Sequence, residues 1–267
     1  MNYLFAGGKK AAERLCKLND VFSKSSGFFV RNFAKRKVNV CIDLGCGTGH
    51  TTRDLTSRLC PAECVGLDNS NYFIEDARKL SKNYRQIKYR LHDVTKIPFP
   101  CKNGDVIYAR FLLTHLKNPV GCIKKWGNQL NPGGMLLFEE TEAIKTNIPV
   151  FQKYLSIAEQ VLKANENLLY TGKFLDNANY EPEFKKKFSG IYNVPAAVKD
   201  AAAMFLLNLP SWKDNEFIQK NYSNIEIGEM EGELLKLSKT GESNNNNNLF
   251  IEWDLRQVAL VKNLDIY

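Results

Sequence analysis

Apolar and polar positions follow two alternating patterns along the first half of the chain. Short apolar runs, typical of strands, are separated by stretches with apolar residues at three- and four-residue intervals, typical of helices. This alternation predicts a parallel sheet with helices on both faces. The predicted strands are 38–43, 63–67, 87–92, 104–109 and 134–140, and the predicted helices are 49–59, 71–82 and 119–130.

The regions on either side of this block, 38–140, have different patterns. Residues 1–37 have helical apolar spacing and predict an N-terminal helical lid. Residues 141–220 contain two helical stretches, 150–164 and 196–208, joined by an aromatic-rich connection. Because that region is too long for a plain link between strands, it predicts a helical insertion that caps the sheet.

Residues 221–267 are predicted to complete the sheet. Two segments, 223–237 and 249–262, alternate like strands. The segment between them, 238–248, contains five consecutive asparagines and predicts a flexible hairpin tip.

Composition indicates an ordinary globular chain. Of the 267 residues, 44% are hydrophobic and 25% are charged, which allows a sizeable core. The net charge of +8 would suit nucleic acid or an acidic surface. The lysines are widely spread, however, and the densest clusters, 35–37 and 185–187, are short. A solvated basic face is therefore favoured, and a polyanion site is kept as the alternative.

Cysteine content predicts a reduced, cytoplasmic protein. The chain has seven cysteines, an odd number, and most lie among apolar residues rather than in a disulfide framework. Cys60 and Cys64 have no matching second pair, so no metal site is expected. No membrane association is expected either, because the longest apolar stretch, 196–209, is short and interrupted by charges.

The most informative segment is the loop between the first predicted strand and the helix after it. An apolar strand ends at Asp43, and glycines follow at every second position, Gly45, Gly47 and Gly49. Such glycines allow a ligand to approach the backbone closely. A helix with free N-terminal amides is predicted to begin near Thr48 or Gly49.

Several interpretations of this loop are open. A dinucleotide fingerprint requires a third glycine where His50 stands, and a phosphate loop requires a Gly-Lys-Ser/Thr ending that is absent. The Asp43 carboxylate would repel a pyrophosphate but suits a cationic sulfonium ligand that carries an α-amino group. A tight turn without a ligand is the remaining alternative.

The acid followed by Gly-x-Gly-x-Gly resembles the first motif of class I S-adenosylmethionine-dependent methyltransferases. Four later segments, at 65–70, 91–94, 105–111 and 130–136, resemble further motifs of that family in the expected order. The resemblance covers about 38–140 and, more loosely, the last predicted strand. The N-terminal segment is similar to the lid helix of a small-molecule subgroup typified by ubiquinone and menaquinone biosynthesis.

This resemblance implies an α/β, Rossmann-like, doubly wound sheet of seven mostly parallel strands. The last strand would be antiparallel, with an N-terminal helix and a helical insertion after strand five. S-adenosylmethionine would be the cofactor and S-adenosylhomocysteine its product.

The resemblance also assigns roles to individual residues. Asp68 would bridge the ribose hydroxyls, Asp93 would accept from the adenine amino group, and the Val94 amide would face an adenine ring nitrogen. Arg110 and Phe111 would line the junction between cofactor and substrate. The full set of expected cofactor-binding residues is Asp43, Gly45, Cys46, Gly47, Thr48, Gly49, Asp68, Asn69, Asp93, Val94, Ala109, Arg110 and Phe111, with Tyr3 and Arg14 as lid contacts.

Candidate catalytic residues lie after strands four and five. A sulfonium methyl group is already activated, so the enzyme mainly aligns the acceptor, and a base helps only if the acceptor must lose a proton. The candidates for that base are His115, Glu139 and Glu140, with Glu142 nearby. Because Glu139 and Glu140 alternate faces along a strand, only one of them can face the site.

The expected function is methyl transfer to a small-molecule acceptor through an oxygen, nitrogen or carbon nucleophile. The alternatives are methylation of protein or RNA, and a non-catalytic protein that binds the cofactor. Nucleic acid is a possible partner that the spread of charge does not favour. The sequence leaves the acceptor and the oligomeric state open.

Overall fold

The computed structural model describes residues 8–34, 37–240 and 248–264. Within these residues, seven strands form one sheet: β1 (Val40–Leu44), β2 (Glu63–Asp68), β3 (Ile87–Leu91), β4 (Gly104–Arg110), β5 (Leu130–Thr146), β6 (Phe184–Pro195) and β7 (Ile251–Lys262). Their order is β3-β2-β1-β4-β5-β7-β6. The pairs among β1 to β5 are parallel, and β7 is antiparallel to both β5 and β6. The expected mostly parallel sheet with an antiparallel last strand is confirmed.

Helices lie between the strands and in the region after β5. The described α-helices are α1 (Lys9–Phe33), α2 (His50–Leu59), α3 (Asn71–Leu80), α4 (Pro119–Trp126), α5 (Pro149–Ala164), α6 (Gly172–Asp176), α7 (Val198–Lys213), α8 (Glu216–Asn221) and α9 (Asn224–Thr240). Short 3₁₀ turns cover Leu113–His115 and Gly127–Gln129.

The strands bury both of their faces, as expected for a doubly wound sheet. Ile42 of β1 and Ile107 of β4 belong to an apolar cluster that includes Trp126 of α4. Their neighbours Cys41 and Val106 belong to a second cluster, which includes residues of α1 and α2. Since successive side chains of a strand point to opposite faces, this division places helices on both sides of the sheet.

One predicted strand, 223–237, is wrong, because residues 224–240 form the helix α9. Ile225 and Ile227 alternate as in a strand, but Ile225 is 74% exposed. The buried residues of α9 are Ile227, Met230, Leu234 and Leu237, whose three- and four-residue spacing is helical. The asparagine-rich tip expected after this segment lies mostly outside the described residues.

The predicted insertion, 141–220, is not purely helical, because β6 lies within it. β6 is an edge strand that pairs only with β7 among the described residues. Its exposed run of lysines, 185–187, leaves little apolar alternation to detect. The sheet is therefore completed by one strand from the insertion and one from the chain end.

The described residues contain no helix that is long and apolar enough to cross a membrane. Within the same residues, no three or more histidine, cysteine, aspartate or glutamate side chains are grouped as metal ligands. All seven cysteines are free thiols.

Candidate functional site

The glycine loop lies at the carboxyl ends of the parallel strands, where ligands bind in open α/β sheets. β1 ends at Leu44, and α2 begins at His50 with Gly49 as its N-cap residue. The predicted helix start is therefore confirmed. The Cys46 amide donates to the Leu67 carbonyl at 3.0 Å, which holds the loop against the end of β2.

Two glycines of this loop cannot be replaced without strain. Gly47 has φ +51°, and a Cβ there would lie 2.7 Å from Cδ1 of Leu15 in α1. Gly49 has φ +76°, and a Cβ there would lie 2.2 Å from the Tyr89 hydroxyl oxygen. Both positions combine a left-handed backbone with close contact, which only glycine accommodates.

A cleft of about 980 Å³, open solvent included, lies between this loop and α1. The predicted cofactor residues that line it are Gly45, Cys46, Gly47, Thr48, Asp68, Asn69, Asp93, Val94, Arg110 and Phe111, with Arg14 as the predicted lid contact. His115, predicted as a candidate base, lines it too. Asp43, Gly49 and Ala109 do not line it, and Tyr3 lies outside the described residues. Most of the predicted set is thus brought to one cleft.

Asp68 at the end of β2 is nearly buried and faces the cleft. Its Oδ2 accepts from the Gly47 amide at 2.9 Å, and its Oδ1 accepts from the Ser70 amide at 2.8 Å. Burial raises the pKa of Asp68, and these backbone hydrogen bonds oppose the shift. A carboxylate has further lone pairs, so Asp68 can still accept from a ligand.

Asp93 follows β3 and is more exposed than Asp68. Its Oδ1 accepts from both the amide and the hydroxyl of Thr95, at 3.0 and 2.7 Å. The hydroxyl of Thr95 lowers the pKa of Asp93. Asp93 is therefore an ionised acceptor at the opening of the cleft.

Asp43 stabilises the start of α2. Its Oδ2 accepts from the hydroxyls of Thr51 and Thr52, both at 2.6 Å. Burial raises the pKa of Asp43 to about 6, while the two hydroxyls and the Arg110 charge oppose the shift. The carboxyl thus lies behind the cleft wall and affects the cleft through Thr51 and Arg110, which line it.

Arg110 connects β4 to α1. Its Nη2 donates to Asn19 Oδ1 at 2.9 Å, and its Nη1 donates to Ser26 Oγ at 3.0 Å. The next residue, Phe111, has φ +53°, which is unusual for a residue with a Cβ. Backbone strain of this kind concentrates at ligand sites.

A second cavity, of about 780 Å³ with open solvent included, adjoins the cleft. Leu18, Phe111, His115 and Arg14 line both spaces. The rest of its wall comes mainly from β5, α5, α7 and β7, and is largely apolar. Its other lining residues are Thr114, Glu140, Thr141, Ile144, Tyr154, Leu155, Ala158, Leu162, Leu169, Met204, Phe205, Asn208 and Trp253. We call it the acceptor-side cavity.

Aromatic rings form one wall of the acceptor-side cavity. Tyr154 stacks on Phe205 with 4.1 Å between ring centroids, and on Trp212 with 4.7 Å. Asn208 Nδ2 donates to the Tyr154 hydroxyl at 2.6 Å, which fixes the orientation of the ring. This wall therefore offers a preformed apolar face to a ligand.

Glu139 and Glu140 point to opposite sides, as strand alternation requires. Glu139 is buried, accepts from the Tyr108 hydroxyl and from Gln257 Nε2, and lines neither the cleft nor the cavity. Glu140 lines the acceptor-side cavity. Hydrogen bonds to Tyr108 and Gln257 thus hold Glu139 outside both spaces, and a base role for either glutamate stays a prediction.

Glu140 is held by the chain segment before His115. Its Oε1 accepts from the Leu113 amide at 2.5 Å, and its Oε2 accepts from Thr171 Oγ1 at 3.5 Å. Burial raises the pKa of Glu140 to about 8. The carboxyl is therefore largely protonated at neutral pH.

His115 lies at the junction of the cleft and the acceptor-side cavity. Burial, and secondarily the Arg14 charge, lower its pKa to about 4. It is therefore neutral at pH 7. The further candidate Glu142 is bound by Arg256, whose Nε and Nη2 donate to its two oxygens at 2.5 and 2.7 Å. Glu142 thus has a structural role.

Sequence reasoning missed two groups of lining residues. Leu15 and Leu18 of α1 follow the helical apolar spacing of residues 1–37, which marks no ligand contact, and both line the cleft. Tyr154 and Asn208 come from the insertion, where no motif marked them. Thr48, predicted from the loop, carries a buried hydroxyl with no hydrogen-bond partner among the described residues.

Comparison with known proteins agrees with this geometry. A family model described as a methyltransferase domain matches residues 42–138. The chain also shares its fold with coclaurine N-methyltransferase bound to N-methylheliamine and S-adenosylhomocysteine. That structure has a TM-score of 0.55 and 16% identity, covering 90% of this chain and 72% of the other.

A second solved structure shows the same fold. It is a Haemonchus contortus phosphoethanolamine N-methyltransferase in complex with phosphomonomethylethanolamine and S-adenosylhomocysteine, with a TM-score of 0.54 and 14% identity. It covers 93% of this chain and 56% of the other. Residues 42–138 therefore match the methyltransferase-domain family, and the chain has the fold of these two methyltransferases.

Two curated relatives match part of the chain. A demethylmenaquinone methyltransferase of Staphylococcus aureus is 26% identical over 129 residues, which are 48% of this chain and 53% of that protein. An uncharacterised methyltransferase of Schizosaccharomyces pombe is 24% identical over 117 residues, 41% of this chain and 42% of that protein. The chain thus spans about half the length of the curated relatives it matches.

Proposed function

We propose that this protein transfers a methyl group from S-adenosylmethionine to a small-molecule acceptor held in the acceptor-side cavity. The observation that supports the proposal is that the cleft over the glycine loop lies next to the acceptor-side cavity. The cleft over the glycine loop and the acceptor-side cavity share Arg14, Leu18, Phe111 and His115. A donor and an acceptor bound in the two spaces would meet at this junction, and such alignment supplies most of the rate enhancement.

The residues of the cleft fit S-adenosylmethionine. Asp68, already oriented by two backbone amides, would accept from the ribose hydroxyls. Asp93 and Val94 would face the adenine, and Thr48 has a hydroxyl in need of a partner. Arg110 lines the cleft and would give the methionine end a positive group that matches its carboxylate. Asp43 lies behind the cleft wall and would act on the ligand only through Thr51 and Arg110.

When bound, S-adenosylmethionine would supply an activated methyl group on a positively charged sulfur. The chain's own residues would exclude water and orient the acceptor. α1 covers the glycine loop through Leu15 and is tied to β4 through Arg110. Phe111 would separate bulk solvent from the junction.

Positioning is proposed to matter more than base catalysis. His115 is neutral and close to the junction, but a pKa near 4 makes it a weak proton acceptor. We assign it to holding the acceptor by a hydrogen bond. Glu140 anchors the segment that carries His115, through the Leu113 amide, and acts as a positioning residue.

A small-molecule acceptor is supported by the shape of the acceptor-side cavity and by the comparisons. The cavity has the volume and largely apolar lining of a small-molecule site. One relative is named for demethylmenaquinone, and the two solved structures hold small molecules. A polymer would instead need an open surface along the cleft.

The test is a transfer assay with S-adenosylmethionine labelled with tritium in the methyl group. Metabolite, RNA and protein fractions from the native cell are incubated separately with the full chain. We expect label in the small-molecule fraction. Label in RNA or protein alone would overturn the acceptor class, and cofactor binding without transfer to any fraction would favour a non-catalytic role.

A further inference from the structure

An asparagine is buried in the apolar wall of the acceptor-side cavity. Asn208 lies in the segment 201–209 of α7, where every other residue is apolar, and it is 7% exposed. Burying an amide among apolar side chains costs free energy unless its donors and its acceptor are hydrogen-bonded. The position of Asn208 therefore indicates a hydrogen-bonding role for its side chain.

Tyr154 of α5 meets only part of this requirement. Asn208 Nδ2 donates to the Tyr154 hydroxyl at 2.6 Å. Within the described part of the chain, neither side chain makes a further hydrogen bond. An amide has two N–H donors and an acceptor oxygen, and a hydroxyl both donates and accepts. The pair therefore keeps a donor and an acceptor for another molecule.

This result is the same for both orientations of the amide. With Nδ2 toward Tyr154, the tyrosine O–H and Asn208 Oδ1 are left. With Oδ1 toward Tyr154, an asparagine N–H and a lone pair of the tyrosine oxygen are left. Burial raises the pKa of Tyr154 to about 12, so its hydroxyl keeps its proton at pH 7. In each case one free group comes from each residue.

The pair lies away from the junction of the two spaces. Tyr154 and Asn208 line the acceptor-side cavity and do not line the cleft, whereas Phe111 and His115 line both. An acceptor that places its reacting atom at the junction would therefore meet Tyr154 and Asn208 with another part of the molecule.

Other polar groups of this wall are already bound or stand singly. Thr114 Oγ1 donates to a backbone carbonyl, and Glu140 is held by a backbone amide and a threonine hydroxyl. Thr141 contributes a single hydroxyl from β5. Among the described lining residues away from the junction, Tyr154 and Asn208 thus offer a donor and an acceptor side by side.

We propose that Tyr154 and Asn208 bind an uncharged hydroxyl group of the acceptor, at a position remote from the atom that receives the methyl group. The inference rests on the proposed function, and it narrows the acceptor to apolar molecules with an additional hydroxyl. A hydroxyl both donates and accepts, which matches the two free groups of the pair. Phe205 and Trp212 stack on Tyr154, so the site is formed before the acceptor binds.

The test uses two probes of nearly the same shape, 2-naphthalenemethanol and 2-ethylnaphthalene, which differ by a hydroxyl in place of a methyl group. Their dissociation constants are measured by equilibrium dialysis at pH 7 against the full chain with S-adenosylhomocysteine. Wild type is compared with Asn208→Leu, Tyr154→Phe and Thr141→Val. Asn221→Leu is a matched control, because this α8 side chain donates to a backbone carbonyl and lines neither space.

The quantity compared is the probe ratio, the dissociation constant of 2-ethylnaphthalene divided by that of 2-naphthalenemethanol. We expect the ratio to fall about tenfold from wild type to Asn208→Leu, because both hydrogen bonds to the probe are lost or misplaced. In Tyr154→Phe it should fall about threefold, since one bond remains. Asn208→Leu should bind 2-ethylnaphthalene at least as tightly as wild type does, and Asn221→Leu should keep the wild-type ratio.

The inference is overturned if the ratio stays within twofold of wild type in both Asn208→Leu and Tyr154→Phe. A fall in Thr141→Val with an unchanged ratio in Asn208→Leu would place the hydroxyl at β5 and also overturn it. So would no binding of either probe to wild type, or an equal fall in Asn221→Leu. Tyr154→Phe removes a single oxygen, so it decides the matter alone if Asn208→Leu does not fold.

Failure of the proposed function is distinguishable from failure of this inference. The dialysis follows binding and requires no methyl transfer, and uptake of S-adenosylhomocysteine is measured in the same cells. If wild type took up none, the proposed function would fail, while the probe ratios of wild type and variants would still be compared.

Discussion

Leu15 lies directly over Gly47, so that a Cβ on residue 47 would come within 2.7 Å of Leu15 Cδ1. This contact joins the lid helix α1 to the loop between β1 and α2. Side-chain bonds from Arg110 to Asn19 and Ser26 support the same closure. α1 therefore forms one wall of the cleft and the loop between β1 and α2 forms the opposite wall. We expect a change in either wall to alter cofactor binding.

Gly47→Ala tests this contact. The added methyl group meets Leu15, and φ +51° strains any residue with a Cβ. Since such strain costs about 1–3 kcal/mol, we expect the dissociation constant for S-adenosylhomocysteine to rise about tenfold or more. Isothermal titration calorimetry measures it. Gly228→Ala is the control, because α9 offers open space there; equal affinity of both variants and wild type would contradict the account.

Asp68→Ala removes the carboxylate proposed to hold the ribose. We expect cofactor binding to weaken by about 1–3 kcal/mol, because charged hydrogen bonds are lost. The measurement is the calorimetric affinity for S-adenosylhomocysteine. Asp76→Ala should leave it unchanged, because Asp76 is a partly exposed acid of α3 that pairs with Lys79 and does not line the cleft. Unchanged affinity in Asp68→Ala would refute the ribose role.

Glu140→Gln should change how stability depends on pH. The pKa of Glu140 is raised from 4.5 to about 8, so the folded state favours the protonated form. In wild type this group lowers the free energy of unfolding as pH rises from about 4.5 to about 8, in total by a few kcal/mol. Urea unfolding at several pH values should show Glu140→Gln gaining on wild type over that window. A constant difference between pH 5 and pH 9 would contradict the assignment.

Arg256→Gln should destabilise the junction of β5, β7 and α6. Arg256 donates to both oxygens of Glu142 and lies 3.4 Å from Asp176. Leaving a mostly buried Glu142 carboxylate unpaired should cost about 1–3 kcal/mol in urea unfolding. Lys117→Gln is the control, because its pair with Glu166 is exposed and worth little. Equal loss in both variants would argue against this role.

The sequence predicted the loop and the alternating core because both depend on local pattern. The first strand, Asp43, the spaced glycines and the following helix are contiguous in sequence from 38 to 59. Their arrangement therefore follows from local strand and helix propensity and from the backbone freedom of glycine, which has no Cβ. The carboxyl ends of parallel strands share one edge, which brings Asp68 and Asp93 to the same cleft.

The acceptor-side cavity could not be predicted in the same way. It joins Arg14, Glu140, Tyr154, Phe205 and Trp253, which are far apart in sequence and meet only through the packing of helices on the sheet. Strand alternation showed that only one glutamate of the adjacent pair could face the site. Which one does depends on the register of β5 between β4 and β7.

Two segments have a different secondary structure from the predicted one, for a related reason. β6 lies in the region predicted to be helical, and α9 lies where a strand was predicted. β6 pairs on one side only among the described strands, so its sequence tolerates a run of lysines and little alternation. The start of α9 resembles a strand over Ile225 to Ile227, while its helical face becomes evident only from the residues it buries. In both segments, tertiary packing rather than local sequence pattern determines the secondary structure.

The central claim is that the cleft over the glycine loop binds S-adenosylmethionine and not a dinucleotide. The most direct measurement is calorimetric titration of the full chain with S-adenosylhomocysteine and, separately, with NADH. We predict saturable one-to-one binding of S-adenosylhomocysteine and no detectable binding of NADH. Binding of NADH, or no heat with S-adenosylhomocysteine at saturating concentration, would contradict the account.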